Sequence, residues 1–284
     1  MSTSLVLLLL AAAALHAAWN LLLKPVQHRH VLMWGALVVT TAAFLPLLAL
    51  RPPISGVWLF VSTSAVVEAA YYALLMTAYG TGDFSVVYPI ARGTAPALLA
   101  AWSVIFLGER PGAAGIAGLG LIVGGLLIVG GTGGAPGLPR LRHPARGTSL
   151  ALVLALLISI YSVIDGAAVK RADPFAYTVV VFALTTLVLT PLVLGRYGWP
   201  AVRAVLGARL GRVIAVGVLQ CLAYMIVLYV YSRAQVSYAG AIRESSIVLG
   251  ALAGWLYLGE QFGTVRLTGS LVMFAGIVLI ALAG

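Results

Sequence analysis

Arg92 and Arg243 occupy the same place in two copies of one sequence phrase. Around them Gly108, Glu109, Gly112, Gly118 and Gly125 recur as Gly259, Glu260, Gly263, Gly269 and Gly276, each 151 positions further on. Both copies run from an apolar helix through Gly-Glu into a Gly-dotted apolar helix. An arginine inside such a segment costs roughly 2.5–3.5 kcal/mol on insertion scales, so it faces a bundle interior or a water-filled cavity. Its planar fork of donors suits a carboxylate or a phosphate. Each arginine also follows a weak point in its helix, Pro89 or Gly240, by three residues. Interrupted helices at matching places in two halves point to a transporter's binding site.

Three acids and a histidine share the membrane with these arginines: Glu68, Asp165, Glu244 and His16. Glu68 is the expected partner of one arginine, because a short turn joins the third and fourth spans. Glu244 follows Arg243 by about 100° on a helix, so the two are expected not to share a face. A carboxylate that loses its pairing as a cavity opens binds and releases a proton, which makes all four coupling candidates. The plainer reading is that they pair with arginine or hydrate a cavity. His16, Trp19 and Asn20 form one stripe at i, i+3, i+4. Tyr88 lies one turn from Arg92, Tyr72 and Tyr79 share a face, and Tyr161, Tyr224 and Tyr238 add further aromatic rings. Interfacial belts compete as an explanation for such tyrosines, but Tyr224 falls mid-span. Tyrosine walls with arginine suit an amphipathic solute bearing a carboxylate, such as an amino acid with a bulky side chain. His28-Arg29-His30 lacks the further ligands of a metal site, and neither metal nor cofactor is expected.

The elements that must hold these residues are membrane helices. The chain of 284 residues is 62% hydrophobic and 8% charged, with a mean hydropathy of +1.09. Soluble domains carry about 25% charged residues. A run of about 20 apolar residues spans a bilayer, and ten such spans are expected, near 3–23, 32–50, 57–79, 84–107, 113–131, 148–169, 175–195, 211–231, 236–258 and 264–283. The run beginning at Leu5 is too long for a signal peptide and has no basic residue before it, so it reads as the first span. The organisation expected is a first unit 1–131, a linker 132–147 and a second unit 148–284. Residues 132–147 and 196–212 are expected to be solvated loops. Five spans per unit invert the second copy, which implies alternating access to one central cavity. Helix glycines, Gly120-xxx-Gly124 among them, are expected to let the two copies pack closely. With that partner built in, a monomer is expected.

The net charge of +10 comes from arginines in short connections and fits loops beside anionic lipid, with no nucleic-acid partner. Lys24, Arg29, Arg140, Arg142, Arg146, Arg196, Arg203, Arg209, Arg212 and Arg266 fall on one side, and Arg51, Arg110, Lys170, Arg171 and Arg233 on the other. Positive-inside reasoning places both termini outside the cytoplasm. The single cysteine, Cys221, says nothing of redox compartment.

Ala14-Leu15-His16-Ala17-Ala18-Trp19-Asn20, with Gly108-Glu109-Arg110 and Gly259-Glu260-Gln261, resembles the EamA domain. The whole chain is similar to two such units, a ten-helix member of the drug/metabolite transporter superfamily. That resemblance implies an all-α bundle with a cavity lined by spans 1, 3, 4, 6, 8 and 9, spans 5 and 10 being peripheral. It also implies termini inside the cell, against the loop charges, and the orientation stays open. Relatives of this size export amino acids and related metabolites, among them aromatic amino acid exporters of the YddG type. Exchange of nucleotide sugars or organophosphates is the alternative. No G-x-x-x-x-G-K-[ST] is present, so protons or a counter-substrate are the expected energy source. A channel or an intramembrane enzyme is the less favoured class. The second unit has Ser162, Asp165 and Gly166 where the first has His16, Trp19 and Asn20, so the cavity walls are expected to differ chemically.

Overall fold

A computed structural model describes the backbone of residues 1–23, 26, 28–80, 84–131, 144–249, 252 and 264–283, and the side chains of most of these. Every regular element among them is helical: α1 (Thr3–Leu23), α2 (Arg29–Phe44), α3 (Trp58–Gly80), α4 (Phe84–Leu107), α5 (Ala113–Gly131), α6 (Pro144–Val169), α7 (Pro174–Tyr197), α8 (Trp199–Ala208), α9 (Leu210–Arg233), α10 (Val236–Arg243) and α11 (Thr264–Ala283). A 3-10 segment, Leu45–Leu50, extends α2 past Pro46. Six of these segments are long and apolar enough to cross a bilayer, and three shorter ones are similarly apolar. In hydrocarbon every backbone N–H and C=O must find its partner inside the segment, and helices meet that demand. The chain is a multi-pass membrane protein.

Local chemistry sets the helix ends. Asp173 caps α7 by accepting from the amides of Phe175 and Ala176, with Pro174 in the first turn. Gly108, at φ +66°, turns the chain out of α4, a backbone that side chains with a Cβ rarely adopt. Two segments depart from expectation. The connection 196–212 is not a bare loop, since α8 fills it. Val202 on that helix is fully buried and Leu206 rests on Gly35 of α2, so apolar residues anchor what the arginines alone suggested was solvated. The segment from 236 does not run as one helix. α10 ends at Arg243, the chain turns at Glu244-Ser245 and helix resumes at 246–249. By contrast α4 is helical from end to end past Pro89, so the matched interruptions expected at Pro89 and Gly240 are not seen.

Contacts run between the first and second halves. α1 packs on α9, α3 on α6 and α7, α4 on α6, and α2 on α7 and α9. α5 lies against α11, and the two run antiparallel: a Cβ on Gly118 would approach the Gly276 carbonyl, and one on Gly125 the Gly269 carbonyl. The glycines that allow this approach are therefore not Gly120 and Gly124, around which a Cβ would meet nothing within 4 Å.

Candidate functional site

Between these helices lies a small cavity of about 30 Å³, lined by α1, α3, α4, α6, α7, α9 and α10. That volume is one water's share of liquid. α7 enters through Phe182, a contribution the sequence did not suggest, while α5 and α11 stay outside.

Arg92 of α4 is 1% exposed and lies at the centre of the first polar group. Its Nε sits 2.8 Å from Glu244 Oε2. Its Nη2 lies 3.1 Å from His16 Nε2 and donates to Ser246 Oγ at 3.2 Å. Arg243 approaches the same glutamate, Nη2 to Oε1 at 3.2 Å. Glu244 thus bridges the two arginines. The expectation that Arg243 and Glu244 point apart assumed an unbroken helix; because α10 stops at Arg243, the Glu244 side chain turns back across it.

A second polar group gathers around Asp165 of α6. Tyr177 donates to Oδ1 at 2.7 Å and Tyr224 to Oδ2. Glu68 of α3 sits beside it, reached by Thr185 at 3.4 Å and by the Tyr224 hydroxyl. Among the described residues Glu68 forms no ion pair with either arginine, which corrects the expected pairing. Glu244 takes that role from the turn that follows α10. Gln220 of α9 donates to the Tyr72 hydroxyl.

Aromatic rings form the remaining wall. Tyr71 lies 5.7 Å from Tyr161, Tyr161 lies 6.4 Å from Tyr224, and Tyr224 stacks on Phe182 at 5.3 Å. His16 meets Trp19 edge-on at 4.8 Å. Trp19 Nε1, a donor, and Gln220 Oε1, an acceptor, are buried without a hydrogen-bond partner on residues that line this cavity. Orphaned groups of both kinds are costly unless a ligand or water satisfies them.

His16, Trp19, Glu68, Tyr72, Arg92, Tyr161, Tyr224 and Arg243 therefore converge on one space. Asn20 does not line it: its amide donates to the His16 carbonyl one turn back, at 2.8 Å, so the stripe separates after Trp19. Tyr238 is also elsewhere, with its ring beside Gly115 and on the wall of a larger space. The side chains of Tyr79 and Tyr88 lie outside the described residues. The sequence reading passed over Gln220, Phe182, Tyr177, Thr185 and Ser246. A signal existed for the first of these: Glu68, Tyr72 and Tyr79 recur as Gln220, Tyr224 and Tyr231, 152 positions on.

That larger space is a vestibule of about 1530 Å³ at one end of the bundle. It is lined by the start of α1, the ends of α4, α6 and α9, and Glu109, Lys170, Arg171 and Arg233. Glu109 crosses to α10, accepting from the backbone amides of Val236 and Ser237 and from the Ser237 hydroxyl. Lys170 donates to the Ala234 carbonyl at 2.9 Å. Glu109 is near Lys170, yet burial lowers the lysine's pKa from its ordinary value.

The family model described as EamA-like transporter family matches the chain twice, over residues 3–131 and 145–282. A crystal structure of another protein superposes on 99% of this chain and 98% of its own, with a TM-score of 0.78 at 20% identity, a likeness of fold. No curated protein matches.

Proposed function

Because the chain belongs to the EamA-like transporter family, we propose that it is a secondary carrier that exports amino acids and related small metabolites by alternating access. One observation carries this reading: arginines from equivalent places in the two copies line a single buried cavity, walled by tyrosines and by Trp19. A guanidinium there receives a carboxylate, and the rings receive an apolar or aromatic side chain. The orphaned Gln220 Oε1 offers an acceptor for an ammonium group. Aromatic amino acids, the substrates of YddG-type exporters, are the first candidates.

The antiparallel run of α5 and α11 supports an inverted pair of five-helix units, 1–131 and 148–284, joined by 132–147. In such a pair, exchanging the two units' conformations moves the central site from one side to the other. The small cavity and the wide vestibule then belong to one working cycle: the site is constricted, and the next opening is on the side of the vestibule. Tyr238 and Glu109 act at that entrance rather than at the solute. We assign the carrier to a bacterial inner membrane, as a monomer in lipid, with protons or a counter-substrate as its energy source.

A glutamate held between the two arginines weighs against nucleotide sugars and organophosphates, which would need more uncompensated positive charge. Counterflow in proteoliposomes, run across amino acids, sugars and phosphates, tests the proposal. Phenylalanine or leucine exchanging well above the phosphates is the expected result. Exchange of phosphates alone, or voltage-driven flux that never saturates, would overturn it.

A further inference from the structure

Of the two acids, Glu68 and Asp165, that among the described residues pair with neither arginine, one has a neutral twin. Glu68 of α3 and Gln220 of α9 stand 152 positions apart, as do Tyr72 and Tyr224. Across the interface the pairs mirror one another: Gln220 donates to the Tyr72 hydroxyl, and Glu68 lies beside the Tyr224 hydroxyl. A protonated glutamate has the shape and donor pattern of glutamine, and an ionised one does not. Glu68 thus occupies a position whose counterpart is filled by the uncharged isostere.

Hydrogen counting points to a proton held by the pair of acids Glu68 and Asp165. Tyr224 has one hydroxyl hydrogen and gives it to Asp165. It cannot donate to Glu68 at the same time, so for both contacts to be made one of the two acids, Glu68 or Asp165, must carry a hydrogen. Charge agrees: with Arg92 and Arg243 set against Glu244 and Asp165, an ionised Glu68 would add one negative charge to a buried space of about 30 Å³. The groups facing Glu68 are Asp165 and Tyr161 on α6, Tyr177 on α7 and Tyr224 on α9. Arg92 on α4 and Arg243 on α10 share its cavity, and Tyr72 on its own helix separates it from His30 of α2. A metal cation fits this arrangement poorly, because both Asp165 oxygens already face hydroxyl hydrogens.

We infer that Glu68 is a proton-binding site, shared with Asp165 through Tyr224, which holds its proton while the cavity is closed and gives it to water when the cavity opens. The link to transport rests on the function proposed above; the site itself does not. Release leaves the Glu68 carboxylate behind and one proton in the solvent on the open side, so solute movement in one direction is exchanged for proton movement in the other.

Infrared spectroscopy of the full-length protein in lipid, without solute, tests the site directly. The wild type is expected to show a protonated-carboxyl carbonyl band at neutral pH that vanishes on alkaline titration. In Glu68→Gln the titrating band should be lost, and in Asp165→Asn its midpoint should move. A wild type without the band, or a Glu68→Gln protein with the band unchanged, overturns the inference. Should Glu68→Gln fail to fold, an unmoved midpoint in Asp165→Asn overturns it equally. In proteoliposomes an imposed pH gradient should change wild-type phenylalanine uptake by about tenfold. The same ratio should fall to near unity in Glu68→Gln, whatever its absolute rate. A sodium gradient driving uptake in place of the proton gradient also overturns it. If no amino acid exchanges at all, the proposed function fails while the infrared result still stands or falls by itself.

Discussion

Glu244 Oε2 lies 2.8 Å from Arg92 Nε although the two residues belong to different copies of the repeat, and its other oxygen meets Arg243. One carboxylate therefore holds two buried guanidinium groups. Removing one member of such a group leaves an uncompensated charge, which costs about 3–5 kcal/mol. Glu244→Gln is expected to lower the thermal unfolding midpoint of the detergent-solubilised protein markedly. A second change, Arg92→Gln, should restore part of the loss. A Glu244→Gln midpoint equal to that of the wild type would show that water reaches the arginines.

Arg92→Ala is expected to reduce amino acid counterflow about tenfold or more, the loss of one charge-assisted contact to a carboxylate. Insertion, judged from yield and gel-filtration profile, should survive. Retention of normal counterflow would place the solute away from this arginine.

Glu109 ties the end of α4 to the start of α10 through three hydrogen bonds. A carboxylate at a helix N-terminus also meets the positive end of the helix dipole. Glu109→Ala should cost about 2–3 kcal/mol, and Glu109→Gln less, because the amide oxygen keeps part of the contact. Denaturation in a graded detergent mixture would rank the two. Equal stability of both variants and the wild type would mean that the tie is not held in the membrane.

Glycine replacements should separate the two faces of α5. Gly276→Ala would bring a Cβ to 2.6 Å from the Gly118 carbonyl and should destabilise by about 1–3 kcal/mol. Gly120→Ala meets nothing within 4 Å and should stabilise the helix by up to about 1 kcal/mol. Thermal unfolding of the two variants side by side decides it, and a reversed order would put the helix contact on the other face.

The helices were legible because long apolar runs with Pro and Gly at their ends leave few other solutions; α4 and α5 begin and end where the pattern says. Arg92, Arg243 and Tyr224 were legible from depth, since such groups in mid-membrane need a polar interior. Glu244 was misread because ideal helix angles were applied across a residue where the helix stops. Gln220 was missed because a neutral amide gives no charge signal, though its register with Glu68 was present in the sequence. The glycine face was misjudged because a spacing of four marks a stripe without saying which side of the helix has the neighbour. Gly118 and Gly125, two turns apart, were the pair that met one.

The chain turns beside Arg243 but runs straight past Arg92, so the two halves hold equivalent arginines on mechanically different supports. A carrier of two identical halves would rest equally often facing either compartment. Here one helix stops and the other does not, and in the proposed cycle that inequality favours one resting orientation. In that proposed cycle the carrier is a rectifier, waiting at a preferred compartment and loading there more readily than at the opposite one.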